Sequence, residues 1–140
     1  MTYLNYADGD YAAIMYLADR NFLWDDMPLM CADCCERYLK HVLDVYMPES
    51  PEKAALMATN VLYTLSSAIK ALPDLPDRLK PSGDLCMSLN GLDMYRRIVG
   101  HPSPDNVPIT DGEIDLAVIT TENTRQFVDR IEQEGRPRIA

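Results

Sequence analysis

Apolar residues recur at intervals of three and four along most of the chain, and breaks rich in proline, glycine and acid separate the runs. That period marks one face of an amphipathic helix, and it predicts five helices. The first is expected from a cap at Asp8 or Asp10 to about Asn21, with Tyr11, Ile14, Ala18 and Phe22 on one face. The second follows Asp25-Asp26-Met27-Pro28, where acids and a proline suit a helix start. It carries Leu29, Ala32, Cys35, Leu39, Val42 and Tyr46 and stops before Met47-Pro48. The third opens at Ser50-Pro51, with Ser as cap and Pro at the first helical position, and continues unbroken to Leu72 through Ala54, Ala58, Val61, Leu62, Leu65, Ala68 and Ile69.

Pro73-Asp74-Leu75-Pro76 ends that helix, and a linker runs to about Gly83. The fourth helix holds Leu85, Leu89, Leu92, Tyr95 and Val99 and breaks at Gly100-His101-Pro102-Ser103-Pro104. The fifth begins at Thr110, whose capping-box partner is Glu113, and lines up Ile114, Ala117, Thr121, Thr124, Val128 and Ile131 before Gly135-Arg136-Pro137. Residues 117–121 are β-branched enough for a short strand, but they lie inside a capped helical pattern. No repeat is visible. The expectation is an all-α fold, an antiparallel bundle of four or five helices with short loops.

Length and composition narrow the class. At 140 residues there is room for one domain, and 47% apolar residues supply a core without staples. No apolar run reaches the length of a membrane span, and Met1–Asp10 lacks the basic and apolar regions of a secretory signal. A soluble, cytoplasmic protein with no membrane partner is expected. The net charge of −9 argues against a broad electrostatic grip on nucleic acid. The charge is uneven, however: Arg78 to His101 holds four basic residues against two acidic ones, so an anion site is expected near that stretch.

Cys31, Cys34 and Cys35 crowd one helix, and Cys86 lies far away. That spacing suits reduced thiols in a core rather than a disulfide framework. Cys31-Ala-Asp-Cys34 lacks a second paired motif, so neither a metal nor a cofactor is expected. Met residues read as core filler and Trp24 as a packing anchor. Glu36, Arg37, Lys40 and Asp44 alternate in sign, which reads as a solvated face with one Glu36–Lys40 pair.

Tyr95-Arg96-Arg97-Ile98-Val99-Gly100-His101-Pro102 carries the most chemistry. A guanidinium grips phosphate with two donors, and an imidazole moves a proton near neutrality. Arg96 and His101, with four residues between them across a helix end, can meet at one locus. Together they suit metal-free RNA cleavage, in which a 2′-hydroxyl loses a proton and a phosphorane gains charge. The plainer reading is that Arg96 and Arg97 favour a helix C-terminus and that His101 is a turn residue.

The order of segments over about residues 8–134 resembles the HEPN family (higher eukaryote and prokaryote nucleotide-binding domain). The resemblance rests on Asp10-Tyr11-Ala12, then on the run from Cys31 to Leu43, where Glu36, Arg37, Leu39 and Lys40 fall at the family's Glu-Lys-x-Leu-Lys positions. It rests also on the basic, Tyr-bearing fourth helix, the His101-Pro102 turn and the Ile109-Thr110 start of a long final helix. It implies an up-and-down helical bundle, usually a homodimer, and a toxin-type, metal-independent endoribonuclease acting beside a nucleotidyltransferase antitoxin. Arg96-x4-His101 satisfies the catalytic formula of that group. By this resemblance Arg96 positions phosphate or the 2′-hydroxyl, His101 serves in acid–base chemistry, and Arg97 adds an anion contact. The chain has Arg97 where active members often carry a polar residue, and it lacks their Tyr after the His. The resemblance therefore also allows a non-catalytic nucleotide-binding or partner-docking subunit, with Arg96 and Arg97 as the phosphate clamp. An acidic interaction protein without a small-molecule site is the third reading.

Overall fold

In a computed structural model, which describes residues 2–21, 26–100 and 109–134, six α-helices and one 3-10 turn form the chain, and no strand occurs among the described residues. The helices are α1 (Tyr3–Asp19), α2 (Met27–Tyr46), α3 (Pro51–Ala58), α4 (Leu62–Lys70), α5 (Gly83–Gly100) and α6 (Asp111–Glu134), with the 3-10 turn at Asp77–Leu79. Phe22, Trp24 and His101 lie outside the described residues, as does the side chain of Val99.

α1 begins earlier than the sequence predicts. Thr2, not Asp8 or Asp10, is its cap, and Thr2 and Asn5 satisfy each other's backbone amides in a capping box. The two aspartates serve tertiary contacts instead. Tyr38 donates to Asp8 at 2.7 Å, and Arg37 pairs with Asp10. With Arg125 stacked 4.6 Å from the Tyr11 ring centre, these contacts strap α1 to α2 and α6. α1 ends beside Asn21, whose φ of 54° is a left-handed conformation that Asn tolerates and that stops a helix.

α2 is the centre of the molecule and packs against each of the other five helices. Cys31, Ala32, Cys34, Cys35, Tyr38, Leu39, Val42 and Leu43 are all fully buried. Only a narrow polar strip of this helix, at Asp33, Arg37 and Asp44, meets solvent. Lys40 and His41 are buried with it, and each is matched by a carboxylate, Glu36 at 2.9 Å and Glu132 of α6 respectively. Of the alternating charges of α2, Arg37 and Asp44 face solvent as expected, whereas Glu36 and Lys40 turn inward. The Glu36–Lys40 pair exists as the spacing predicts, but it sits partly inside.

The long third helix is two helices. Thr59-Asn60-Val61 breaks it into α3 and α4, and the exposed Ala54, Ala58 and Val61 do not share the core face of Leu62, Leu65 and Ile69. The break is made from outside. Asp93 of α5 accepts the amides of Leu62 at 2.8 Å and Tyr63 at 2.9 Å, capping α4 from a helix thirty residues away.

α6 is helical throughout, including residues 117–121, and its Thr110–Glu113 capping box forms as predicted. The hydroxyls of Thr120, Thr121 and Thr124 donate to the carbonyls four residues back, so these β-branched polar residues stay satisfied inside a helix. Ile114, Ala117, Val128 and Ile131 join one hydrophobic cluster with α1, α2, α4 and α5.

Candidate functional site

A cleft of about 420 Å³ opens where α4, α5 and the 59–61 break meet, and Asn60, Val61, Tyr63, Asn90, Asp93, Arg96 and Arg97 line it. Its size is in the range of small-molecule sites. Two of the residues singled out by the sequence, Arg96 and Arg97, stand on its wall. The third, His101, lies outside the described residues.

Arg96 is not a free clamp. Its Nη2 donates to Asp33 and to Glu36 of α2, both at 2.8 Å, and its Nη1 donates to the carbonyl of Asn60. The side chain is 14% exposed. One guanidinium thus ties α5 to α2 and to the α3–α4 break. Glu36 divides its two oxygens between Arg96 and Lys40. The Arg96–Glu36 contact joins the charged stretch of α2 to the basic end of α5.

Arg97 points elsewhere. It is exposed on the cleft wall and makes no ion pair among the described residues. Of the two adjacent arginines it is the one open to an anion. The side-chain amides of Asn60 and Asn90 also make no hydrogen bond among the described residues, whereas the backbone amides of α4 are filled by Asp93. The usual anion-attracting end of that helix is therefore already occupied by a carboxylate.

Around the cleft Asp33, Glu36 and Asp93 balance Lys40, Arg96 and Arg97, so the local field is close to neutral even though the chain carries −9. The cleft offers a stacking surface in Tyr63, which is 44% exposed, one open guanidinium, two amide side chains and one buried carboxylate. That set binds a polar, flat, singly or doubly charged molecule better than a long polyanion.

Sequence reasoning missed Asn60, Tyr63, Asn90, Asp93, Asp33 and Glu36 as site residues. Asn90 and Asp93 had a local signal: they precede Arg97 by seven and Arg96 by three on the same helix, and residues so spaced share a face.

The thiols offer no rival site. Cys34 donates to the carbonyl of Ala7, and Cys35 to Thr121 and Thr124. All four cysteines are free and buried. Burial pushes Cys31 up to about 12 and Cys35 to about 11, and raises Cys34 further, so all three stay protonated and weakly nucleophilic. Among the described residues no group of three metal-ligating side chains converges, and no helix is long and apolar enough to cross a membrane. Comparison with family models, curated proteins and solved structures yields no match to this chain.

Proposed function

We propose that the chain is a HEPN-like helical module that binds a nucleotide in the cleft between α4 and α5. The observation that carries this reading is the composition of that cleft: an exposed Arg97, an exposed Tyr63 and the amides of Asn60 and Asn90, unpaired among the described residues, around about 420 Å³. Arg97 takes the phosphate, since a guanidinium presents two parallel donors to it. Tyr63 stacks on the base. Arg96 is a positioning residue that holds Asn60 and the α3–α4 break against α5. This departs from the clamp of two arginines, because two carboxylates already satisfy Arg96.

Calorimetric titration with mononucleotides at low salt tests the proposal. Binding in the micromolar to millimolar range, weakened about tenfold in Arg97→Ala by loss of one charge-assisted contact, supports it. Equal affinity in wild type and Arg97→Ala overturns the assignment to this cleft, and no heat with any mononucleotide overturns the reading altogether and leaves an interaction protein without a small-molecule site.

The second reading is a toxin-type, metal-independent ribonuclease acting as a homodimer beside a nucleotidyltransferase partner, with Arg96 and His101 as its pair. It rests on the Arg96-x4-His101 spacing. Cleavage of total RNA in EDTA by the wild type and not by His101→Ala supports it. Equal activity in both points to a contaminant, and no activity in either overturns it for the chain alone. Light scattering tests the homodimer: a monomeric mass contradicts it.

A further inference from the structure

Asp93 is 8% exposed, and its carboxylate borders the cleft. Each of its oxygens accepts one backbone amide, from Leu62 on one side and Tyr63 on the other. A carboxylate has about four lone-pair sites, so one on each oxygen is left over. The two amides also hold the carboxylate in one orientation, and the Tyr63 side chain lines the same cleft. A buried acceptor pair of fixed geometry next to an aromatic surface is a reader of hydrogen-bond donors.

We infer that the cleft selects guanine, with the Asp93 carboxylate accepting from the base's N1–H and 2-amino group while Tyr63 stacks on its face. This rests on the nucleotide reading above and names the base. Guanine is the common base that offers two adjacent donors on its pairing edge. Adenine offers one amino group flanked by the N1 lone pair, which faces the carboxylate unfavourably. Cytosine has the same donor-beside-acceptor arrangement. Uracil offers one N–H between two carbonyls. Asn60 and Asn90, with both donor and acceptor in each amide, take the guanine carbonyl or the ribose hydroxyls. Arg97 takes the phosphate. The charges agree: guanine is neutral, so it adds donors to Asp93 without adding a charge beside it.

The test leaves the protein unchanged and varies the ligand, so the α4 cap is not disturbed. GMP, IMP and AMP are titrated into the wild-type chain. IMP keeps N1–H but lacks the 2-amino group. The inference predicts affinity falling from GMP to IMP to AMP, by about five- to tenfold for each lost hydrogen bond. The same guanine comes either as a free nucleotide or within RNA, so UpGpU and UpApU are titrated as well. UpGpU tighter than GMP assigns the base to RNA, and GMP tighter than UpGpU assigns it to a free nucleotide. AMP binding as well as GMP, or UpApU as well as UpGpU, overturns the guanine inference and leaves the nucleotide reading standing. No binding by any of the five overturns both. In Asp93→Asn, where one acceptor becomes a donor, the GMP-to-AMP ratio falls towards one while Arg97→Ala weakens GMP and AMP alike. A ratio unchanged in folded Asp93→Asn also overturns the inference.

Discussion

Arg96 and Glu36, sixty positions apart in the chain, are held 2.8 Å apart, with Asp33 at the same distance from the same guanidinium nitrogen. The arginine that the sequence offers as a phosphate ligand is already bound to two carboxylates, and its primary effect is mechanical.

Arg96→Ala is therefore expected to destabilise the chain by about 1–3 kcal/mol, because a partly buried Glu36 loses a charged partner and the Asn60 carbonyl loses its donor. Asp33, which is 62% exposed, contributes least to that loss. Arg96→Lys recovers part of it, since an ammonium keeps the charge but not the planar fork. Urea denaturation of the three proteins measures this. Unchanged stability in Arg96→Ala contradicts the tie between α5 and α2.

Asp93→Ala leaves two amides at the start of α4 without their acceptor, and a loss of about 1–2 kcal/mol follows from removing a cap. Faster amide exchange at Leu62 and Tyr63, against unchanged exchange within α6, distinguishes a local cap from a general loss of packing.

The break that Asp93 creates shows where sequence reading stops. Ser50-Pro51 and the apolar residues to Leu72 fit one helix, and nothing at Thr59-Asn60-Val61 contradicts it locally. The helix divides where acceptors and donors on α5 fit the freed backbone groups, and the only local support is the weak turn in which the Val61 amide donates to the Thr59 hydroxyl. The Thr2 cap was missed, because Asn5 stands where the usual capping box has Glu or Gln and because Asp8 and Asp10 are good cap residues themselves. By contrast Thr110–Glu113 and the six inward positions of α6 were fully readable, because cap and period agree there. For the site, Arg96 and Arg97 were legible as a basic helix end. Their opposite fates were not, because Asp33 and Glu36 reach Arg96 only after folding.

The buried thiols set an alkaline limit. Cys31 and Cys35 have folded values near 12 and 11 against an ordinary value of 9.0, because burial disfavours the thiolate. Tyr95, raised to about 12 from 10.0 by burial and by donating to Glu113, acts in the same direction. For groups raised in the folded state, the stabilisation is complete below the unfolded value and is lost as pH rises through the folded one. Stability is thus expected to be level to about pH 9 and to fall between about pH 9 and 12. Urea midpoints across that range check it, and a flat profile contradicts it. In the native protein at pH 8, a thiol reagent is expected to leave Cys31, Cys34 and Cys35 unmodified.

Glu113 moves the other way. Hydrogen bonds from Tyr95 and Thr110 hold its carboxyl below the ordinary range. Its contribution is present above the ordinary carboxylate range and fades as pH falls through the lowered value. Tyr95→Phe should return the Glu113 titration, followed by NMR, towards the ordinary range, and no movement contradicts the Tyr95–Glu113 bond.

The central claim is that the cleft between α4 and α5 holds a nucleotide. Its most direct test is an amide-resolved NMR titration of the whole protein with GMP. The account predicts saturable shifts at Asn60, Tyr63, Asn90 and Arg97, with residues of the α1–α2 contact unmoved, and a midpoint about tenfold higher in Arg97→Ala. Shifts spread evenly over the surface, or none at millimolar GMP, contradict it.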